Sequence, residues 1–242
     1  MDDFCVYSTQ KDHLDKLKLV LDKCRLYRIA LNPAKCQMMV SQGVVLGHIV
    51  SRRGIATDED KVKVILTLDP PQSVKEVQTF MGHMNYYRRF MKGYAELSRP
   101  IYGLIHNLGW TDQCDIAFRQ LKHNLATAPI LRAPDWDLEF HVHTDASAYA
   151  ISSILAQPGD YKIDYPIYFV SRQLDPAKKN YTTTEREGLA MIFSCKKYRH
   201  YLIANHFKFY IDHQALLYLV NKPCTTGRIT RWCYSFKNLI LP

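Results

Sequence analysis

The sequence predicts a mixed α/β protein, of the α+β kind, and three observations carry that expectation. Residues 138–144, 149–156 and 165–171 read as strands, and the first lies in FHVHTDASAYAISSIL, where apolar and polar side chains alternate with a period of two. A helical pattern over 183–203 follows, then a strand at 206–211 and a helical start from about 213. Strands succeeded by alternating helix and strand indicate a mixed sheet with helices packed on it. Ahead of them, residues 58–106 carry helical spacing throughout.

The N-terminal elements are a short strand at FCVYS, a helix and a hairpin. Thr9 with Asp12 resembles a capped helix start, and Leu14, Leu17, Leu21 and Cys24 share one helical face. GVVLGHIVS, residues 43–51, is strand-like with a central glycine, which predicts a bulge or a close backbone approach. Val62, Ile65 and Leu66 begin the helical region, and Asp69-Pro70-Pro71 interrupts it, because proline lacks a donor. Ser73 and Glu76 have capping-box spacing, and Val77, Phe80, Met81 and Met84 follow at intervals of three and four. The polar side carries Lys75, Arg88, Arg89 and Lys92 beside Tyr86 and Tyr87. That interleaving suits a surface tracking a nucleic-acid backbone, and it equally suits a solvated face with its rings tucked inward. Residues 107–137 connect, through an amphipathic helix near Cys114–Leu125 and a proline-bearing extended stretch.

The chain has 242 residues, 47% hydrophobic and 23% charged, so it holds enough material for real cores. Lys plus Arg number 32 against 23 Asp plus Glu, and the net charge of +9 favours polyanionic partners. Seven scattered cysteines form no CxxC pair, which speaks for reduced thiols rather than a zinc ribbon or disulfide framework. No apolar run approaches the roughly 20 residues of a membrane span, and no signal-peptide core is evident. An intracellular protein, cytoplasmic or nuclear, is expected.

Three acids stand where the chain turns inward or ends a strand. Asp145 closes the first strand of the second half. Glu187 lies one turn before Met191, on the stripe Met191, Cys195, Tyr198 and Leu202. Asp212 ends KFYID. Converging carboxylates repel, and a divalent cation with a preference for hard oxygen donors, Mg2+ or Mn2+, resolves the repulsion. Each acid also has a structural role open to it. Asp145 can cap the ASA turn, Glu187 can belong to a first helical turn, and Asp212 can N-cap the next helix. Spacing alone does not choose between these.

Taken block by block, the chain resembles the polymerase polyprotein of gypsy-type LTR retrotransposons. MDDFCVYS is similar to the catalytic hairpin of reverse transcriptase without its leading tyrosine, and VVLGHIVSRRGI to the primer grip. VKEVQTFMGHMNYYRRFMKGYAELSRPIYGLI resembles the thumb, and WTDQCDIAFRQLKHNLATAPIL the connection. HTDASAYAISSILAQ, the segment ending KKYRHYL, and FKFYIDHQALLYL are similar to successive blocks of ribonuclease H.

The resemblance implies an RNase H-like mixed sheet preceded by a partial palm and a helical thumb. Its segments would be palm end and primer grip over 1–54, thumb over 55–106, connection over 107–137 and an RNase H-like domain over 138–242. It implies that Asp145, Glu187 and Asp212 are catalytic metal ligands for Mg2+ or Mn2+, with Glu187 preferred to the neighbouring Glu185. Asp2 and Asp3 would be remnants of the polymerase site, and Gly47, His48, Tyr86, Tyr87, Arg88 and Arg89 would contact template-primer. The expected activity is metal-dependent hydrolysis of RNA in an RNA–DNA hybrid; the alternative is a non-catalytic nucleic-acid-binding remnant. No membrane partner is implied, whereas a dimer or a larger polyprotein is. The fingers, the first half of the palm and the fourth ribonuclease H acid have no counterpart here, so DNA synthesis by this chain alone is not expected. Ala150 and Ser152 stand where the family usually has glycine.

Overall fold

The computed structural model describes residues 5–8, 11–106 and 109–212. Asp2, Asp3 and the helix expected from about 213 lie outside them. Helix α1 (His13–Leu26) starts after Asp12. Of its expected inner face only Cys24 is buried, while Leu14 and Leu21 stand in solvent because nothing described packs over them. Residues 5–8 form no strand. Over residues 5–8 the reading of FCVYS as β is corrected: none of the described residues pairs with them, and an unpaired extended segment is not stable as a strand; Phe4 lies outside the described residues.

The next segment is a three-stranded antiparallel meander of β1 (Gln42–Val45), β2 (His48–Ser51) and β3 (Gly54–Thr57). The glycine of GVVLGHIVS is therefore a turn residue rather than a bulge. Val45 pairs with His48, and the two residues between them, Leu46 and Gly47, have φ of 46° and 70°. Positive φ at both central positions is the two-residue turn whose twist matches that of paired strands.

Helices α2 (Glu59–Leu66), α3 (Val74–Tyr87), α4 (Tyr94–Leu97), α5 (Arg99–Gly103) and α6 (Asp112–Ala126) make a helical layer. Ser73 caps α3 as its spacing predicts: its Oγ accepts from the Glu76 amide at 3.2 Å. The Glu76 carboxylate reaches back to the Gln72 amide at 2.9 Å. Val77, Phe80, Met81 and Met84 are all buried, joined by Phe118, Leu121 and Leu125 of α6.

The second sheet has β4 (Phe140–Ala146), β5 (Ala150–Pro158) and β6 (Asp164–Gln173), followed by α7 (Pro176–Lys179), α8 (Thr183–Lys197), α9 (Arg199–Leu202) and β7 (Phe207–Tyr210). Strand order is β6-β5-β4-β7, antiparallel except for the β4–β7 pair, which is parallel. A parallel neighbour requires a crossover, and α8 supplies it. Phe140, Val142 and Leu155 pack under Cys195 and Tyr198 of the crossover. On β5 and β6, Ile154 and Phe169 join the helical layer's core instead. The sheet is thus covered on both sides. Ala150 and Ser152 keep unbroken register with Gln173 and Ser171, so their side chains are accommodated without a bulge at that point.

Candidate active site

The antiparallel pairing of β4 with β5 places Asp145 opposite Ser152. Its side chain is exposed at the strand's end and lines a cavity of about 260 Å³ with Lys92, Glu96, Ser152 and Ser171. Ala146, next in the chain, joins the cluster under α8. Asp145 therefore stands at the rim between the sheet and α4.

Glu187 comes to the same rim from the other side. Its neighbours on the predicted stripe, Met191, Cys195, Tyr198 and Leu202, are all buried, and Glu187 itself is only 7% exposed. One of its carboxyl oxygens, Oε2, is buried without a hydrogen-bond partner. Burial, then the charge of Asp145 and, more weakly, that of Asp212, push its pKa up to about 7, against a hydrogen bond from the Ala146 backbone. Each of the other two acids is thus near enough to raise the Glu187 carboxyl electrostatically. Asp212 is exposed just beyond β7.

Glu185 has a different task. Its carboxylate accepts from the Thr182 amide at 3.0 Å while Thr182 Oγ1 accepts from the Glu185 amide at 3.2 Å, a complete capping box. Thr182-Thr-Thr-Glu185 is the sequence signature of such a box, so this signal was present in the chain.

The group proposed to touch template-primer divides. Gly47 and His48 meet Tyr86, Tyr87 and Phe90: the His48 ring stacks on Tyr86 at 4.9 Å and on Phe90 at 5.6 Å. The Tyr86 hydroxyl donates to the Leu46 carbonyl. A Cβ on Gly47 would come within 2.6 Å of the Tyr86 hydroxyl, so glycine is required both by φ and by this close approach. Tyr86 and Arg88 remain exposed. Tyr87, however, is 1% exposed, its hydroxyl donating to the Gly47 carbonyl at 3.3 Å. Tyr87 is corrected from a surface contact to a core residue, because the ring fills the space beneath the hairpin turn. Arg89 lies over the Tyr168 ring at 4.7 Å, tying the helical layer to β6 rather than facing solvent alone.

Sequence reasoning missed a second cluster. Among the described residues, His141, His143 and Asp164 are the group of three or more whose ligating atoms lie within 4.8 Å of one another. The three acids do not close that far.

Comparison with known proteins agrees with this architecture. Residues 110–209 match the family described as the RNase H-like domain found in reverse transcriptase. The Retrovirus-related Pol polyprotein from transposon 297 of Drosophila melanogaster is 34% identical over 96% of this chain and 22% of that protein. That of transposon opus from the same organism is 35% identical over 96% of this chain and 25% of its own length. The Transposon Tf2-3 polyprotein of Schizosaccharomyces pombe is 30% identical over 96% of this chain and 18% of itself. The chain thus spans about a fifth to a quarter of these relatives. The structure of the foamy viral protease-reverse transcriptase in complex with dsDNA aligns with a TM-score of 0.75 at 20% identity, over 98% of this chain and 50% of that one. The same protein in complex with RNA/DNA hybrid gives 0.77 at 18% identity, over 96% and 33%.

Proposed function

Because this chain is a homologue of retrotransposon Pol polyproteins and carries an RNase H-like domain of the reverse transcriptase kind, we propose that it hydrolyses the RNA strand of RNA–DNA hybrids. In this reading, residues 1–54 correspond to a palm end, 55–106 to a thumb, 107–137 to a connection and 138–242 to the nuclease domain. One observation carries the proposal: the buried Glu187 carboxyl, with an orphaned oxygen, is raised by burial and by Asp145 and Asp212. The Arg186 charge offsets that push only weakly, so two acids act on a carboxyl that has one oxygen without a hydrogen bond. The donor set is all carboxylate oxygen, which fits Mg2+ or Mn2+ rather than a softer ion.

Asp145, Glu187 and Asp212 would hold the ions, Asp145 being the acid that acts more strongly on Glu187. Two bound ions would supply positive charge for the attacking and leaving oxygens of the phosphodiester. The chain's own contribution is placement: β4 fixes Asp145 by its register with β5, and packing of α8 fixes Glu187. Selectivity for RNA would rest on contacts to 2′-hydroxyls in the minor groove. Tyr86, exposed beside the Gly47 turn, and the exposed Arg88 at the end of the same helix are suited to sugar and phosphate. The net charge of +9 favours the same partner.

The test is cleavage of an end-labelled RNA–DNA hybrid in Mg2+ by the wild-type chain and by Asp145→Asn. Cleavage that falls at least about 100-fold in the variant supports the assignment, that being the scale at which loss of one preorganised electrostatic group acts. Salt-sensitive binding with no cleavage by either chain would replace it with the binding-remnant reading.

A further inference from the structure

We propose that His141, His143 and Asp164 form a zinc site, separate from the carboxylate rim and independent of the nuclease reading. His141 and His143 alternate with buried Val142 along β4, so both imidazoles leave the same face of the sheet. Asp164 reaches them from the start of β6, across β5, where small Ala156 and Pro158 lie between. The Asp164 carboxylate accepts from His141 Nδ1 at 2.8 Å and from His143 Nε2 at 2.8 Å. Two nitrogens from one strand and a carboxylate from another are thus aimed at a single point.

Hydrogen bonding alone would account for the pairing. What distinguishes a metal site is how the remaining atoms are held. The other ring nitrogen of His141 faces the Tyr210 hydroxyl at 3.5 Å and the Glu139 carboxylate at 3.8 Å. Metal-bound imidazoles commonly donate their second N–H to a neighbouring acceptor, which fixes the ring; here the Tyr210 hydroxyl is within hydrogen-bond reach, and the Glu139 carboxylate lies just beyond it as a nearby negative charge. Glu139 is itself anchored by Lys208 at 2.7 Å. The His143 ring stacks on Tyr210 at 4.7 Å, only 16° from parallel, so its orientation is set as well. Both rings are therefore positioned by groups that take no part in the Asp164 contact.

The geometry fits the ion. Tetrahedral zinc with nitrogen and oxygen ligands at about 2.0–2.1 Å separates them by about 3.3 Å. The observed 2.8 Å contacts would need to open by only about half an ångström. Two imidazoles with one carboxylate favour zinc over the magnesium that suits an all-oxygen set. His143 is 37% exposed and His141 12%, which leaves an open side for a water as fourth ligand. Bound zinc would tie β4 to β6 and favour the folded chain, since the three ligands meet only when the sheet has formed.

The experiment uses the full chain, stripped by chelator and titrated with ZnCl2 by calorimetry and thermal melting. We expect one equivalent to bind and to raise the melting temperature. His143→Gln and Asp164→Asn should each weaken binding beyond the 10–100-fold or so that loss of a supporting partner costs. Glu139→Gln, which removes a nearby negative charge but no ligand, should weaken it less than either of those. Cys5→Ser/Cys36→Ser, removing the two exposed described thiols, should leave it unchanged. Zinc X-ray absorption of the wild type needs no variant to fold and should show nitrogen and oxygen neighbours only. Sulfur in that shell, binding untouched by the His143 and Asp164 substitutions, or no binding would each overturn the proposal.

Discussion

At the scale of the residue, Glu187 has the most to say. Its folded-state pKa of about 7 lies above the 4.5 of an unperturbed glutamate. Between those values the unfolded chain has released its proton and the folded chain still holds it. Unfolding then becomes easier as pH rises from about 4.5 to 7, and the deficit is complete above 7. That difference corresponds to roughly 3 kcal/mol. Glu187→Gln removes the titration, so the metal-free variant should match wild type near pH 4 and exceed it in stability at pH 8. Urea melts at pH 4, 6 and 8 in chelator would check this. Added Mg2+ should then stabilise the wild type and not the variant. Parallel pH profiles for the two proteins would show that Glu187 is not the strained group. Its place was legible, because a carboxylate four residues before Met191 falls on the buried stripe whatever the fold. Spacing alone could not give its meeting with Asp145 and Asp212, distant in sequence; only the family resemblance implied it. The histidines illustrate the same limit. HVH in a strand puts two imidazoles on one face, but Asp164 lies two strands away, and nothing in the spacing joins it to them.

At the scale of the element, helices were more legible than turns. Periodicity and capping located α3 and α6 closely, since a buried stripe and an N-cap are local features. At the meander's central glycine the close approach was legible but the turn was not, because a bulge and a two-residue turn both use glycine, and only the partner strand's register separates them. A third strand, β3, was not resolved from the run at all. It is held at its start by Gly54, whose φ of 125° suits glycine alone. There the chain meets the connector: the Ile55 amide donates to the Leu131 carbonyl at 2.8 Å, and the Leu131 amide donates back at 2.9 Å. A Cβ on Gly54 would overlap that Leu131 carbonyl. Gly54→Ala should therefore cost about 2 kcal/mol or more, combining backbone strain with a lost bridge. Urea denaturation would measure the loss, and hydrogen exchange should show faster exchange at the Ile55 and Leu131 amides in particular. An alanine variant as stable as wild type would mean that β3 and the connector separate freely.

At the scale of the whole molecule, the helical layer and the second sheet share one core and several hydrogen bonds. Phe169 of β6 and Ile154 of β5 lie in the core built by α3 and α6. The Ser171 hydroxyl accepts from the Ala95 amide at 2.9 Å, and the Gln173 side chain donates to the Ala95 carbonyl at 3.0 Å. The connector adds the Arg132 amide, which donates to the Pro166 carbonyl at 3.3 Å. Such joints escape sequence reading because a sheet residue buried against a helix layer looks the same as one buried under its own crossover. They imply that the two layers unfold together. Phe169→Ala tests this, since the side chain belongs to a strand but fills the helical core. The cavity it leaves should cost about 3–5 kcal/mol. If the layers are one cooperative unit, native-state hydrogen exchange should show protection falling together at Met84 and Leu121 in the helices and at Leu155 in the sheet. Protection lost in one layer while the other keeps its wild-type value would show that they fold independently. The rim holding Asp145 would then be a hinge between two bodies rather than a fixed seat for its carboxylates.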